Sequence, residues 1–374
     1  MNNTADAIII GGGIIGCATG YYLTKKGLKV YLFEKDYLTA GSTGRCIGGI
    51  RQQFSTELSI RVAMESMKRF KELQAEQDIE FYQGGYLFLA HSKEKIETYK
   101  KLITLQRKLG LDVEFVDVKQ ITEIVPGINT EGLLGGAYCP SDGQANPFLV
   151  VDAYAREIKK HGAVFTQKEI IKLGIENGKV VSVKTDNNEN FYAPVVVNTT
   201  GPFIKKFSLQ FGIDIPIYPE RHEALITEPI DRIFDPMIVD YRDDGCYFNQ
   251  KFNNGSIIGC YTPKPNVPGL SLNSSFTFLK EMGRRMARIL PKLRNIKIIR
   301  QWSGSYSMTP DGNPILDKTD IKGLFIIGGM CGHGFMLGPE IGRLSAELIT
   351  GGPIPYDISS FSLKRDFAGH EVMR

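Results

Sequence analysis

The stretch from Asp6 to Gly27, DAIIIGGGIIGCATGYYLTKKG, constrains the fold of this chain more than any other. Its apolar run AIII ends in glycine, as strands buried on both faces commonly do. The residues that follow have helical spacing and end in Lys25-Lys26-Gly27, a basic last turn followed by glycine. LKVYLFE, residues Leu28 to Glu34, is typical of a second buried strand. Strand, helix and strand in about thirty residues predict a βαβ unit with two parallel strands.

Three glycines of this stretch form a G-x-G-x-x-G motif between the first strand and the helix: Gly11, Gly13 and Gly16. In such a motif the first glycine permits a tight turn, the second lets the backbone approach a pyrophosphate, and the third allows close packing of helix and strand. The helix N-terminus then offers free N–H groups to the phosphates. Glu34 ends the second strand, where a carboxylate accepts hydrogen bonds from ribose hydroxyls and disfavours a 2′-phosphate. The pattern predicts a dinucleotide site and argues against NADP.

Composition excludes several other classes. The formal net charge is +4 and no long run of Lys and Arg occurs, so nucleic-acid binding is not expected. The six cysteines are scattered without a CxxC pair, which argues against zinc and disulfides and favours a reducing compartment. No apolar run reaches the length of a membrane span. MNNTAD carries no basic residue and Gly11–Gly13 interrupt the apolar run, so a signal peptide is not expected and we predict a cytoplasmic protein.

The rest of the chain alternates helical and strand patterns. Helices are predicted at Ser55–Gln77, at Asn146–Gly162 and in FTFLKEMGRRMARILPKL, and a further helix is predicted to begin after the N-cap Ser92 and to end before Gly110. A hairpin turn is predicted at Asn177-Gly178. Strands followed by Gly-rich turns occur at the start of the chain, near residue 200 and near residue 330. One nucleotide-binding domain assembled from separated segments, with a second β-rich domain inserted twice, accounts for this pattern.

Four blocks carry a resemblance to a known family: IIIGGGIIGCATGYYL…VYLFEK, GSTGRCIGGIRQQF, VVVNTTGPF and GLFIIGGMCGHGFMLGPEIGRLSAELI. The chain resembles, over nearly its whole length, the flavoprotein amino-acid and amine oxidoreductases that include D-amino-acid, glycine and sarcosine oxidases. The resemblance implies an α/β plus α+β fold, with a Rossmann-type FAD-binding domain (1–80, 141–217 and 300–374) and an inserted mixed β-sheet substrate domain (81–140 and 218–299). The last block favours FAD over NAD, because in the family it directs a helix N-terminus at the flavin.

The residues that the resemblance places around FAD are Gly11, Gly13, Ile14, Ile15, Gly16, Glu34, Lys35, Ser42, Thr43, Arg45, Gly48, Gly49, Thr200, Gly201, Gly304, Gly332, His333, Gly334, Phe335, Met336 and Leu337. Backbone N–H groups from Gly334 to Leu337 would favour the reduced anionic flavin.

For the substrate, Arg51 matches the arginine that binds the substrate carboxylate in monomeric sarcosine oxidases, a role that suits a planar guanidinium. Tyr306 matches a pocket tyrosine of those enzymes. Tyr247, Tyr261 and His222 lie on strands that the resemblance places at the active site. For each of these residues an ordinary structural role is the alternative. No metal site is expected.

Four positions depart from the family and sharpen the expectation. Gly304 stands where monomeric sarcosine oxidases attach FAD through cysteine, so FAD is expected to be non-covalent. Ile257 and Met336 stand at positions where relatives carry a lysine. Because the positive charge near the flavin is lost, electron transfer from the flavin to oxygen should be slower. Pro147 stands where the β chain of hetero-oligomeric sarcosine oxidase holds FMN through histidine, so any FMN would be non-covalent, at a subunit interface.

The blocks are most similar to the β subunits of dye-linked L-proline dehydrogenases and hetero-oligomeric sarcosine oxidases. The leading hypothesis is therefore an FAD-dependent dehydrogenase of a small or secondary amino acid, with L-proline or an analogue as substrate. An α subunit and an electron-acceptor protein or quinone are the implied partners. The alternatives are an oxygen-using glycine or sarcosine oxidase, a D-amino-acid or hydroxyproline dehydrogenase, an NAD-dependent dehydrogenase, and a flavin-binding scaffold without turnover.

Overall fold

The predicted βαβ unit lies at the centre of a six-stranded sheet. The computed structural model describes residues 3–242, 245–368 and 370–373. In spatial order the sheet contains β18 (Ile315–Lys318), β19 (Leu324–Gly328), β12 (Val195–Asn198), β1 (Ala7–Ile10), β2 (Val30–Glu34) and β8 (Val164–Gln167). All neighbours are parallel except β18, which runs antiparallel to β19. The carboxyl ends of the parallel strands therefore meet at one edge, where open α/β sheets bind ligands.

Helices and a small sheet cover the two faces of the six-stranded sheet. The buried core on one face includes residues of α1 (Ile14–Lys25), α2 (Glu57–Glu76), α5 (Pro147–Lys160) and α8 (Gly334–Thr350). The core of the other face joins the six-stranded sheet to β9 (Ile170–Glu176), β10 (Lys179–Thr185) and β11 (Asn190–Tyr192), with α6 (Ile204–Leu209) beside them. Both residues of the predicted Asn177-Gly178 turn have positive φ, 48° and 70°, as a tight hairpin between β9 and β10 requires.

The second large sheet has eight strands. In spatial order they are β17 (Ile298–Met308), β13 (Tyr218–Thr227), β16 (Ile257–Tyr261), β15 (Cys246–Gln250), β14 (Met237–Asp240), β4 (Tyr86–Ala90), β6 (Gly135–Cys139) and β5 (Glu114–Val116). Only β14 and β4 are parallel neighbours, so the sheet is mixed, as expected. Residues 300–308 pair with β13 in this sheet, although the expected FAD-binding segment begins at 300. The exact division into domains stays a prediction.

The remaining elements surround the eight-stranded sheet. They are α3 (Lys93–Lys108), α4 (Val118–Ile124), α7 (Phe276–Ile289) and the short ribbon of β3 (Gly49–Ile50) with β7 (Gly143–Gln144). The predicted Ser92 cap is confirmed, since its side chain accepts the Lys95 N–H. Helix α4 was not predicted, although it begins with a capping box in which Asp117 and Gln120 bond reciprocally.

Helices α1 and α8 pack against each other through glycines of α8. A Cβ atom at Gly338 would lie 2.6 Å from Ile14 Cγ1, and one at Gly342 would lie 2.5 Å from Ala18 Cβ. Because both contacts keep the same offset along the two helices, α1 and α8 run in the same direction. Their N-termini therefore lie at the same end of the packed pair.

This packing predicts that Gly342→Ala destabilises the protein by about 1–3 kcal/mol, because the added methyl group meets the backbone of α1. Gly283→Ala is the matched control: it also lies in a helix, but no atom lies within 4 Å of an added Cβ. Higher helix propensity should raise its stability by about 0.5–1 kcal/mol. Urea unfolding measures both free energies, and changes of the same sign would contradict the packing argument.

Candidate active site

The Gly-rich loop after β1 has the geometry of a phosphate-binding turn. Gly11 has φ +114°, and a Cβ atom there would lie 2.6 Å from the Thr199 carbonyl oxygen. A Cβ atom at Gly16 would lie 2.0 Å from the Gly11 carbonyl oxygen. Gly13 is the N-cap of α1 and provides no capping side chain, so the amides of the first turn, which begins with Ile14 and Ile15, are left to other partners, and that of Ile14 is taken by the Thr43 hydroxyl. The loop therefore fits the pyrophosphate of a dinucleotide.

Glu34 and Thr43 hold the edges of this loop. The Glu34 carboxylate accepts the Gly12 N–H at 2.8 Å and the Asp36 N–H at 3.1 Å, which fixes it at the end of β2. The Thr43 hydroxyl accepts the Ile14 N–H at 3.1 Å. An acceptor fixed beyond the glycines fits the ribose hydroxyls of an adenosine. Lys35 instead lies over the Phe203 ring, with Nζ 4.7 Å from its centroid.

A segment of residues 42–49 joins the two large sheets beside the loop. The Ser42 hydroxyl donates to the Ser305 carbonyl at 2.5 Å, and Trp302 Nε1–H donates to the Arg45 carbonyl at 2.9 Å. At Gly304, the expected position of the family's cysteine attachment, a Cβ atom would lie 2.9 Å from Arg45 Cβ. The absence of a side chain at Gly304 lets the segment approach β17.

Three further glycines allow close approaches around the same segment and the turn before α8. Added Cβ atoms would lie 2.3 Å from the Ala145 carbonyl oxygen at Gly48, 2.0 Å from Tyr86 Oη at Gly49, and 2.5 Å from Tyr306 Cε2 at Gly332. Gly332 also has φ +82°, so glycine is required there on two grounds.

Helix α8 begins beside this turn with His333 as its N-cap. Its first turn runs from Gly334 through Phe335, Met336 and Leu337, whose three side chains are buried. The amides at this N-terminus fit the developing negative charge of a reduced flavin, as the resemblance implies. Thr200 and Gly201 follow β12 at the same edge of the sheet, and the Thr200 hydroxyl donates to Asn198 Oδ1 at 2.7 Å.

A small cavity of about 40 Å³ lies between the 42–47 segment and the eight-stranded sheet. Among its lining residues, the rings of His222 and Tyr306 stack directly on each other with centroids 3.8 Å apart. The hydroxyl groups of Tyr306 and Tyr247 share a hydrogen bond of 2.6 Å, and the Cys260 thiol donates to Tyr247 Oη at 3.0 Å. Burial raises the pKa of both tyrosines, so their phenols stay neutral. Three of the five predicted substrate-site residues are thereby brought together.

Tyr261 is not at the cavity. Its ring stacks on Phe278 of α7 with centroids 5.1 Å apart, and the Arg285 guanidinium lies 4.2 Å from its centroid. Ile257 is fully buried in the same core, so its side chain also faces α7. Strand alternation explains both positions, because residues 257, 259 and 261 share one face while Cys260 faces the cavity. The expected substrate role for Tyr261, and the site position assigned to Ile257, are not supported.

Glu220 contacts the cavity residue His222, and sequence reasoning missed it. It lies two residues before His222 on β13, so both side chains point to the same face. His222 Nε2 lies 3.0 Å from Glu220 Oε1, and Asn266 Nδ2 donates to Oε2 at 2.7 Å. Both members of the pair are nearly fully buried. The spacing E-x-H on a predicted strand is a signal that could have found the pair.

Arg51 lies on the other side of the Gly332–His333 turn. Its guanidinium donates to the carbonyl oxygens of Gln53 and Met373, and Nη2 lies 2.9 Å from His333 Nε2. The rings of Phe54 and Phe88 lie 4.2 and 5.7 Å from the guanidinium carbon. Only 5% of Arg51 is exposed, and its hydrogen-bond partners among the described residues are two carbonyl oxygens and an imidazole rather than a carboxylate. Arg51 is therefore a buried cation with no counter-ion among the residues that the structure describes.

Asp142 holds the Arg51 loop in place, and sequence reasoning missed it as well. It is fully buried and accepts the Gln52 N–H at 2.8 Å, Gln52 Nε2 at 3.0 Å and Gln53 Nε2 at 3.0 Å. Burial raises the pKa of the Asp142 carboxyl to about 6, and the hydrogen bonds from Gln52 and Gln53 oppose that effect. No local sequence pattern predicts a contact between residues ninety positions apart.

The raised pKa predicts that Asp142 destabilises the fold as the pH rises. The folded chain holds the proton more tightly than the unfolded chain, so stability is highest below the unfolded pKa and falls from about pH 4 to pH 7. Relative to Asp142→Asn, the wild-type free energy of unfolding should fall by about 3 kcal/mol across this range. Urea titrations at each pH measure the difference, and a constant difference would contradict the assignment.

No helix in the described ranges is long and apolar enough to cross a membrane. Within those ranges no cluster of three or more His, Cys, Asp or Glu side chains could hold a metal ion.

Comparisons with known proteins agree with this geometry. A family model described as FAD dependent oxidoreductase (DAO) matches residues 6–348. Glycine oxidase of Geobacillus kaustophilus is 26% identical over 98% of both chains, and sarcosine oxidase subunit beta of Rhodobacter capsulatus is 28% identical over 96% of this chain and 88% of that one. The crystal structure of L-proline dehydrogenase from P. horikoshii superposes with a TM-score of 0.93 at 34% identity, covering 97% of this chain and 98% of that chain. The chain belongs to the DAO family of FAD-dependent oxidoreductases and is an FAD-dependent amino-acid oxidoreductase.

Proposed function

We propose that this enzyme is a dehydrogenase that oxidises a small secondary amino acid, L-proline or a close analogue, to its imine. The observation that carries the proposal is the buried Arg51 guanidinium, which has no carboxylate partner in the described part of the chain. Buried charges are costly unless they are paired, so such a cation favours an anionic ligand. A substrate carboxylate supplies that charge and matches the planar donors of arginine.

The Met373 carbonyl oxygen holds one position on Arg51 that a carboxylate would take. A carbonyl carries only a partial charge, so an ionised carboxylate is the stronger partner for a desolvated guanidinium. Substrate binding would replace the Met373 contact. The segment that carries Met373 is itself fixed by Glu371, whose carboxylate accepts the Ser55 N–H at 2.9 Å and the Met373 N–H at 3.0 Å.

The cavity lies where substrate and cofactor would meet. Its walls include His222, Tyr247 and Tyr306, and also Arg45 and Gly304, which the resemblance places around FAD. The structure of L-proline dehydrogenase from P. horikoshii, at 34% identity, supports a secondary amino acid. Glycine oxidase, at 26% identity, supports a small one.

Bound FAD supplies the acceptor for the hydride that leaves the α-carbon. The chain's own residues would orient the substrate and exclude water. Arg51 would hold the carboxylate, and the hydrogen-bonded Tyr247 and Tyr306 would wall the amine end of the substrate. Orientation of the reacting atoms is the main contribution that such a site makes to the rate.

We propose that electrons leave through a partner rather than through oxygen. The lysine that oxygen-using relatives carry is absent from the cavity wall, where Arg45 is the single cation among the described lining residues. Ile257 does not bear on this argument, because its side chain faces α7. Sarcosine oxidase subunit beta of Rhodobacter capsulatus, at 28% identity over 88% of its length, supports a hetero-oligomer in which this chain is the FAD-carrying subunit. An FMN at the subunit interface belongs to the same proposal.

Anaerobic reduction of the purified flavoprotein tests the substrate. L-proline is expected to bleach the flavin absorbance at about 450 nm faster than hydroxyproline, sarcosine, glycine or D-amino acids. No bleaching with any of them would contradict the proposal. Peroxide release in air at the rate of dye reduction would instead identify an oxidase.

Arg51→Met should raise KM for L-proline by about 100-fold or more, because a charge-assisted bidentate pair contributes about 3 kcal/mol. Arg51→Lys should recover only part of this loss, since an ammonium group lacks the planar fork. Arg61→Met is the control, because Arg61 is an exposed residue of α2 paired with Glu57. Steady-state kinetics with an artificial dye measure all three variants, and an unchanged KM in Arg51→Met would leave Arg51 a structural residue.

A further inference from the structure

We propose that His222 accepts the proton that the substrate's ammonium group must lose before oxidation, and that Glu220 holds the ring for this purpose. The inference rests on the proposed function, since it concerns the amine end of the same substrate. A hydride can leave the α-carbon readily only when the adjacent nitrogen is neutral and its lone pair can form the imine. An amino acid arrives at neutral pH with that nitrogen protonated, so the site needs a proton acceptor.

The contacts of Glu220 fix which ring nitrogen of His222 is free. Glu220 Oε1 lies 3.0 Å from His222 Nε2, and its Oε2 accepts a hydrogen bond from Asn266 Nδ2. A carboxylate only accepts hydrogen bonds, so Nε2 carries the ring proton and Nδ1 keeps its lone pair. Once protonated, the ring would be an imidazolium whose charge is compensated by Glu220.

His222 Nδ1 is buried and has no hydrogen-bond partner among the described residues. His222 is one of the residues that line the cavity, and its ring cannot turn freely because it stacks on Tyr306. Leaving a buried acceptor without a donor destabilises the site, because the desolvated nitrogen has lost its hydrogen bond to water. An ammonium N–H of the substrate is a donor that would satisfy it.

The other titratable groups around the cavity are poor proton acceptors. Tyr306 of β17 and Tyr247 of β15 have pKa values raised by burial, so their phenols are already protonated. Burial also raises the pKa of the Cys260 thiol of β16 to about 12 and that of the Cys46 thiol to about 11. These four groups can donate hydrogen bonds but hold their protons near neutral pH.

Two charged residues of the lining remain. Arg45, from the 42–47 segment, is a guanidinium and cannot accept a proton. Glu223 lies on β13 next to His222 and is engaged by Arg221 Nη2 at 3.1 Å, by Ser275 N at 2.6 Å and by Gln301 Nε2 at 2.7 Å. The oxygens of Glu223 therefore already accept hydrogen bonds from these three residues. His222 is left as the proton acceptor for the substrate.

The proposed step transfers one proton and no electrons. The N–H bond of the substrate ammonium breaks, its electron pair stays on nitrogen, and a new N–H bond forms at His222 Nδ1. The products are a neutral amine and an imidazolium paired with Glu220. His222 thereby acts as a catalytic base, and Glu220 is a positioning residue.

The test compares wild type with His222→Gln, whose amide can still donate to Glu220 but has no basic nitrogen. The measured quantity is the limiting rate of anaerobic flavin reduction by L-proline as a function of pH. At pH 7 the variant should be slower by about 100-fold, the usual contribution of a general base. Above the pKa of the substrate's own ammonium, the rate should return to within a few-fold of wild type, because the amine then arrives neutral.

Two controls separate this role from a structural one. His161→Gln changes an exposed histidine at the end of α5 and should leave the pH profile unchanged. Tetrahydrofuran-2-carboxylate has an ether oxygen in place of the amine, so calorimetry should give affinities within about 3-fold for wild type and His222→Gln. Glu220→Gln should shift the pH profile, since the amide no longer dictates the ring tautomer.

Each result decides the question. If the rate of flavin reduction in His222→Gln falls at pH 7, recovers at high pH and analogue binding is unchanged, His222 is supported as the base. A wild-type rate at pH 7 in His222→Gln overturns it, as does an equal loss at every pH or a large loss of analogue affinity. If L-proline and the other amino acids fail to bleach the wild-type flavin, the proposed function falls and the role of His222 falls with it.

Discussion

The close packing of α1 on α8 is the constraint on which the rest of the site depends. Glycine at 338 and 342 lets the two helices run side by side in the same direction, so that both N-termini point to one end. The phosphate loop leads into the N-terminus of α1, and the turn at Gly332 leads into the N-terminus of α8. A dinucleotide that spans these two ends has donors at its pyrophosphate and at its ring. The residues that the resemblance assigns to the cofactor at these two N-termini thereby lie at one end of the packed helix pair.

Local patterns predicted the parts of this arrangement that depend on neighbouring residues. The βαβ unit, the Ser92 cap and the Asn177-Gly178 turn each follow from a few adjacent side chains, and the structure contains all three. Pairing between distant segments was not predictable in the same way. Strand β17 joins the sheet of β13 although the sequence pattern placed residues from 300 onward with the dinucleotide site.

In the candidate site, too, the orientations and long-range contacts of single side chains could not all be predicted from local sequence. IIGCY of β16 is apolar along its length, so the sequence did not reveal that Tyr261 faces α7 while Cys260 faces the cavity. Asp142 reaches Gln52 across ninety residues, and only the folded chain shows it. Glu220 differs, because its spacing from His222 on one strand was readable.

Two complementary groups would hold opposite ends of one small substrate: the buried Arg51 cation and the buried His222 Nδ1 acceptor, neither of which has its natural partner among the described residues. A crystal structure of the FAD-loaded enzyme with tetrahydrofuran-2-carboxylate tests this most directly. We expect the carboxylate on the Arg51 guanidinium in place of the Met373 carbonyl, with the ring in the cavity beside His222. A ligand bound elsewhere, with Met373 still on Arg51, would contradict it.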